Sequence, residues 1–162
     1  MTRAEAWSYF PDSISGALPK RPHVRCPHGS RSTIINPVKG AIVKLTLLDQ
    51  DGLAVVEGLP DEAFMSTVAD VDRVIEACLS NATTSVLLYA ENLTGAFFDL
   101  SSGEAGAILQ KLRNYRMRLA VVCAPGRVQF SSRFGEMLAE ERRGRHFGVF
   151  ETHGVAREWL NS

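Results

Sequence analysis

The stretch from Val86 to Val122, VLLYAENLTGAFFDLSSGEAGAILQKLRNYRMRLAVV, constrains the fold of this chain more than any other. Its two ends, Val86-Leu87-Leu88-Tyr89 and Leu119-Ala120-Val121-Val122, are short apolar runs with the length and composition of buried strands. Between them Ala105, Ile108, Leu109, Leu112 and Tyr115 recur at helical spacing and predict a buried helix face, with Gln110, Lys111, Arg113 and Asn114 looking outward. Strand, loop, helix, strand reads as a parallel βαβ unit.

Flanking segments extend that unit in both directions. Upstream, Ala41 to Leu48 and Leu53 to Val56 are apolar runs joined at Asp51-Gly52, a pair that accepts the positive φ of a tight primed turn, so they predict a β-hairpin. Pro60-Asp61-Glu62 reads as a helix start, followed by a stripe of Phe64, Val68, Val71, Ile75 and Cys78 ending near Asn81. Downstream, Cys123-Ala124-Pro125-Gly126 breaks the chain. Phe130, Phe134, Met137, Leu138 and Glu141 outline a third helix, with Ser131 or Ser132 as N-cap and Gly144 as its stop. His146 to Phe150 predicts a last strand, and Val155, Ala156, Trp159 and Leu160 the apolar face of a terminal helix. The order implies an α/β domain with a mixed sheet of about five strands, an N-terminal hairpin followed by βα units.

Residues 1–39 differ in texture. They hold five of the seven prolines, six basic against two acidic groups and no sustained period, so they read as a poorly ordered basic extension before a single domain spanning 40–162. Trp7, Tyr9 and Phe10 could dock on the domain. His23, Cys26 and His28 are residue types that suit zinc, but no fourth ligand accompanies them and no metal site is assigned.

Eighteen acidic and eighteen basic side chains cancel, which argues against a general nucleic-acid or membrane-surface binder. The charge is nonetheless segregated, −8 over residues 40–103 and +5 over 104–145, an arrangement that could join faces within a monomer or between the halves of a homodimer. Three widely spaced cysteines, Cys26, Cys78 and Cys123, do not form a disulfide framework, and no apolar run reaches membrane-spanning length. A cytoplasmic protein is expected. Cys78 lies on an apolar stripe and reads as a small core hydrophobe.

Ligands of open α/β sheets collect beyond the carboxyl ends of the parallel strands. Here that edge comprises Glu91 to Gly103, Ala124 to Ser132 and Glu151 to His153. The first of these loops is the densest in polar and aromatic groups: Glu91, Asn92, Phe97, Phe98, Asp99, Ser101 and Ser102. Ser101-Ser102-Gly103-Glu104 has the spacing of a capping box, in which the serine takes the N3 amide and Glu104 reaches back. Phe97 and Phe98 could simply lid the core, but two adjacent aromatics cannot both face inward if the segment is extended, so one of them could line a pocket or a partner surface. Asp99 and Glu91 lack a histidine or metal cluster to make them a catalytic pair. No nucleophile elbow, P-loop, dinucleotide fingerprint or metal-ligand pair occurs, and neither a catalytic residue nor a cofactor is assigned.

The run Asn92 to Val122, then SSRFGEMLAEERRG, then the closing Val149-Phe150 and the spacing of Ala156, Trp159 and Leu160, resembles the bacterial family known as domain of unknown function 4180. The likeness is densest from Asn92 to Val122. It departs from the family's pattern at Glu140 to Gly144, where arginines replace an acidic-polar-glycine run. The resemblance implies no established activity. It implies a SpoIIAA-like fold shared with STAS domains, which serve as partner-binding switches and sometimes as small-ligand modules. In the anti-sigma-factor antagonists of that group an Asp-Ser-Ser-Gly at a helix start carries a phosphorylated serine. Asp99-Leu100-Ser101-Ser102-Gly103 is similar but has Leu100 inserted, so the aspartate and serine cannot hold the same relative geometry; Ser101 and Ser102 are the candidate phosphorylation positions. The expectation is a non-enzymatic interaction or regulatory module, binding an unknown protein partner through Glu91 to Ser102 and the outward Gln110, Lys111 and Asn114. The alternative is a small-ligand-binding protein or an enzyme with its pocket between Phe97, Phe98, Asp99 and the later loops.

Overall fold

The computed structural model describes residues 31–35, 45–50 and 52–162. The expectations for Trp7, Tyr9 and Phe10, for His23, Cys26 and His28, and for Ala41 to Lys44 lie outside the described residues. Within the segment read as an extension, Arg31–Ile35 form a strand, β1, antiparallel to β2 (Leu45–Gln50), with Arg31 opposite Asp49 and Ile35 opposite Leu45. Thr33, Ile34 and Ile35 are β-branched and favour extended backbone. A run of three such residues among prolines and arginines leaves too little periodicity to read.

The expected hairpin follows. Strand β2 returns as β3 (Leu53–Gly58), Gln50 faces Leu53, and Gly52 sits at φ +78°, a conformation glycine adopts without steric cost. From β3 onward the pairing is parallel through β4 (Ser85–Tyr89), β5 (Arg118–Val122) and β6 (Phe147–Phe150). The hairpin and these three strands are the expected five, and β1 adds a sixth to a sheet whose spatial order is simply β1 to β6.

A sheet that always grows in one direction through crossovers of one hand carries all its connecting helices on the same face. Helices α1 (Val71–Ser80), α3 (Glu104–Asn114) and α4 (Ser132–Gly144) do share a face, packed on Val56, Val86, Leu88, Leu119, Val121, Phe147 and Val149. The alternate strand positions Val55, Leu87, Ala120 and Phe150 face the other side, where Ala156 and Leu160 of α5 (His153–Asn161) cover them. Arg118 anchors that helix. Its guanidinium donates to the carbonyls of Trp159 (2.6 Å) and Leu160 (2.8 Å) and lies 4.4 Å from the centroid of the Trp159 ring, so one cation both satisfies the helix's last carbonyls and stacks on its aromatic.

Three local expectations are corrected. The first helix begins at Val71, not near Pro60, because side chains capture the intervening backbone. Asn92 Nδ2 donates to the carbonyls of Leu59 (2.6 Å) and Glu62 (2.8 Å), and its own carbonyl accepts from the amides of Phe64 and Met65. Asp70 Oδ2 accepts from the amides of Ser66 and Thr67. Such bonds offer the chain an alternative to helix. Tyr115 is about half exposed although it falls on the buried stripe, because α3 ends at Asn114 and Arg116 turns the chain at φ +57°, putting Met117 into the core instead. Val155, placed on the buried face of the terminal helix, is also about half exposed.

Candidate functional site

The loop after β4 is built from two tight turns and a single turn of helix. A 3₁₀ turn at Ala90–Asn92 folds Asn92 inward, where it is fully buried. Asn92 Oδ1 accepts from the Tyr89 amide at 2.7 Å and both donors of its carboxamide are engaged, so this residue holds the loop together. Helix α2 (Gly95–Phe98) follows, then a second 3₁₀ turn at Leu100–Ser102.

Phe97 and Phe98 both pack into the core, at 1% and 6% exposure, and Phe98 also lines the groove described below; only the premise of an extended segment is overturned. The physical reason is α2: on helical backbone successive side chains diverge by about 100° rather than 180°, so neighbours can share a core. Their rings meet edge to face with centroids 5.3 Å apart, and both contact Phe134 of α4, with Phe147 of β6 beyond Phe97 and Phe130 beyond Phe98. Pairs of this geometry add about 0.5–1.5 kcal/mol each beyond area burial. The aromatic cluster fastens the loop to α4.

Asp99 and its serines form a different cap from the one the spacing predicts. Asp99 Oδ1 accepts from both the amide (3.0 Å) and the hydroxyl (2.6 Å) of Ser101, and Ser102 Oγ donates to the carbonyls of Ala96 and Asp99. Glu104 does not reach back. Gly103, at φ +76°, is the N-cap of α3, and Glu104 Oε2 instead accepts from the Val68 amide at 3.2 Å. The capping box gives way because that amide, left without a helix by the loop before α1, needs an acceptor. The two hydrogen bonds from Ser101 hold the Asp99 carboxyl below its usual range.

An open groove of about 510 Å³ lies between this loop and the one after β5, lined by Ala90, Leu93, Phe98 and Asp99 on one side and by Arg127, Val128, Gln129 and Ser131 on the other. It stands at the carboxyl ends of parallel strands, and Ser131 on its rim is also the N-cap of α4, with Oγ accepting from the Phe134 amide at 3.2 Å. Of the candidate residues, only Phe98 and Asp99 line it. Glu91 stands behind, approaching Arg127 Nε at 3.8 Å. Gln110 and Asn114 are exposed on α3 and hydrogen-bond to each other at 3.0 Å, while Lys111 is tied to Asp72 at 2.7 Å. The α3 face and the groove are separate surfaces.

The α5 side of the same edge holds a polar cluster that sequence reasoning missed. Glu57 of β3 is almost buried, accepts from the Tyr89 hydroxyl at 2.6 Å, and lies 3.4 Å from His153 Nε2. Burial first, then the hydrogen bond and charge of Glu57 and the charge of Glu91, push the Tyr89 phenol well above its ordinary range, so it remains the donor. Nothing in the sequence pairs these residues, since Glu57 and His153 are joined only by the sheet. Cys78 and Cys123 are buried free thiols. Among the described residues no group of three or more His, Cys, Asp or Glu could hold a metal ion, and no helix is long and apolar enough to cross a membrane.

Fold and site together define an α/β protein with a groove at the carboxyl edge of its parallel strands. The family model described as Domain of unknown function (DUF4180) matches residues 50–160, and the chain belongs to that family. No curated protein and no solved structure gives a significant match.

Proposed function

We propose that this chain is a non-enzymatic cytoplasmic recognition module of regulatory type, with a STAS-like layout, whose binding site is the groove between the loops after β4 and β5. The observation that carries the reading is the groove itself: apolar surface from Leu93, Phe98 and Val128 beside exposed polar groups of Asp99, Arg127 and Gln129. Recognition sites combine these features, an apolar floor with a few polar groups that fix orientation. The carboxylates are occupied in ways that suit recognition better than proton transfer. Asp99 is held in its ionised form by Ser101, and Glu91 faces a guanidinium.

In this reading a protein partner contacts the groove rim and the exposed Gln110 and Asn114 of α3, alongside Lys111. A second copy of the chain is one such partner. Ser101 and Ser102 are exposed, and phosphorylation of Ser101 would set a dianion against Asp99, breaking the bonds that cap the turn. The second reading, binding of a small ligand, is favoured by the groove's volume, which falls within the roughly 300–1,000 Å³ typical of ligand pockets.

Rim variants test the site without disturbing the core. Arg127→Glu and Gln129→Ala change exposed side chains, whereas truncating the buried Phe98 would damage the fold. Affinity capture from the native cell with the full chain should retain a partner that Arg127→Glu loses, with thermal stability unchanged. Retention of the same partner by both rim variants and by a Gln110→Ala, Asn114→Ala chain would sink the protein-partner reading.

A further inference from the structure

The two walls of the groove differ in hydrogen-bonding character. On the β5 side, Arg127 makes no side-chain hydrogen bond among the described residues, its nearest acid being Glu91 at 3.8 Å. Gln129 is exposed and its carboxamide is likewise unpartnered among the described residues, and Ser131 uses its hydroxyl oxygen as an acceptor, leaving its proton available. All three can donate into the groove they line. On the β4 side the only charged lining group is Asp99, whose Oδ1 takes both bonds from Ser101 and whose Oδ2 has no partner among the described residues. Ala90, Leu93, Phe98 and Val128 supply apolar surface between the walls.

Resting on the reading of this groove as the binding site, we infer that its occupant is a small amphipathic zwitterion: a carboxylate against Arg127, Gln129 and Ser131, an amine against Asp99, and an apolar body over Phe98. A guanidinium is matched to carboxylate geometry, and an unpaired carboxylate oxygen calls for a donor such as an ammonium. Each wall also excludes. A dianion would be repelled by Asp99, and a simple cation would meet Arg127. Asp99 keeps the amine side of the groove anionic, its Oδ1 held by Ser101. The class of ligand is an apolar α-amino acid or a short peptide of such residues.

Four probes of the same aromatic size separate the contributions: L-phenylalanine, 3-phenylpropionate, phenethylamine and 2-phenylethanol. Titrated into the isotopically labelled full chain, L-phenylalanine should bind tightest and 2-phenylethanol weakest, with amide shifts confined to Ala90–Asp99 and Arg127–Ser131. Arg127→Gln should weaken L-phenylalanine and 3-phenylpropionate by about tenfold without weakening phenethylamine, and Asp99→Asn, which still caps the turn, should weaken L-phenylalanine and phenethylamine without weakening 3-phenylpropionate. If the four probes bind the groove alike, or the variants do not discriminate, the zwitterion assignment is wrong while the groove stands as a binding site. If no probe moves the groove amides at millimolar concentration, the assignment also falls, and the capture experiment with rim variants decides the site independently.

Discussion

Asn92 leaves no room for a side chain on residue 58: a Cβ added to Gly58 would lie 2.5 Å from Asn92 Oδ1 and 3.0 Å from Asn92 Cγ and Leu88 Cδ2. The end of β3 and the loop that shapes the groove are thus in direct contact, and the glycine is there for space rather than for its backbone freedom. Gly58→Ala should push the Asn92 carboxamide off its partners and destabilise the fold by about 1–3 kcal/mol. Asn92→Ala, which strands the Tyr89 amide and the Leu59 and Glu62 carbonyls, should cost about 2–4 kcal/mol. Urea unfolding checks both, and a Gly58→Ala chain as stable as wild type would show that the loop yields freely.

Tyr89 is the donor that solvates a nearly buried carboxylate. Tyr89→Phe leaves Glu57 Oε1 without that bond and should destabilise by about 1–2 kcal/mol. Glu57→Gln keeps an acceptor for the same hydroxyl and should cost less. A Tyr89→Phe chain as stable as wild type would mean that the hydrogen bond contributes little and that the ring alone matters.

Asp70 makes part of the stability depend on acid. Burial alone would raise its carboxyl, but the amides of Thr67 and Ser66, the Thr67 hydroxyl and the charge of Arg73 outweigh it and leave the group below its ordinary value of 3.8. A depressed native pKa contributes stability above the unfolded value and loses it as pH falls through the native one. Stability should therefore fall below about pH 4, and less steeply in Asp70→Asn. The urea midpoint measured down the acid limb is the test. Parallel limbs for the two chains would remove Asp70 as a contributor.

The described thiols should be inert while the protein is folded. Burial pushes Cys78 up to about 12, and burial with the charge of Glu91 raises Cys123, against partial relief from the Val128 amide and Arg127. From a reference of 9.0 to about 12, the thiolate fraction of Cys78 at neutral pH drops about a thousandfold. In a Cys26→Ser background, iodoacetamide should label the native chain only through opening, at rates that climb with sub-denaturing urea. Rapid labelling of Cys123 in the native state would reveal that the loop after β5 opens on its own.

The parallel half of the sheet was legible because buried strands and amphipathic helices repeat their periods there. Leu87, Leu88, Ala120 and Val121 announce strands whatever surrounds them. The carboxyl edge, too, follows from topology, and Asp99 and Phe98 do line the groove. What escaped was set by contacts distant in sequence. The delay of α1 from Pro60 to Val71 depends on Asn92, some thirty residues on, and Glu104 left its capping box for Val68. That Phe97 and Phe98 both reach the core was not legible, because a single helical turn, Gly95–Phe98, is too short to show a period. Arg127 and Gln129 carry no motif, and only the fold brings them opposite Asp99.

In the chain-order arrangement β1 to β6, spatial order and order of synthesis coincide. Each strand pairs with the one translated just before it, so every new βα unit finds its neighbour already in place on the growing sheet. Among the described residues the face formed by Val55, Leu87, Ala120 and Phe150 is covered only by α5, the last described helix in chain order. A chain truncated after β6 would therefore present Val55, Leu87, Ala120 and Phe150 as one greasy side without the cover that α5 gives it.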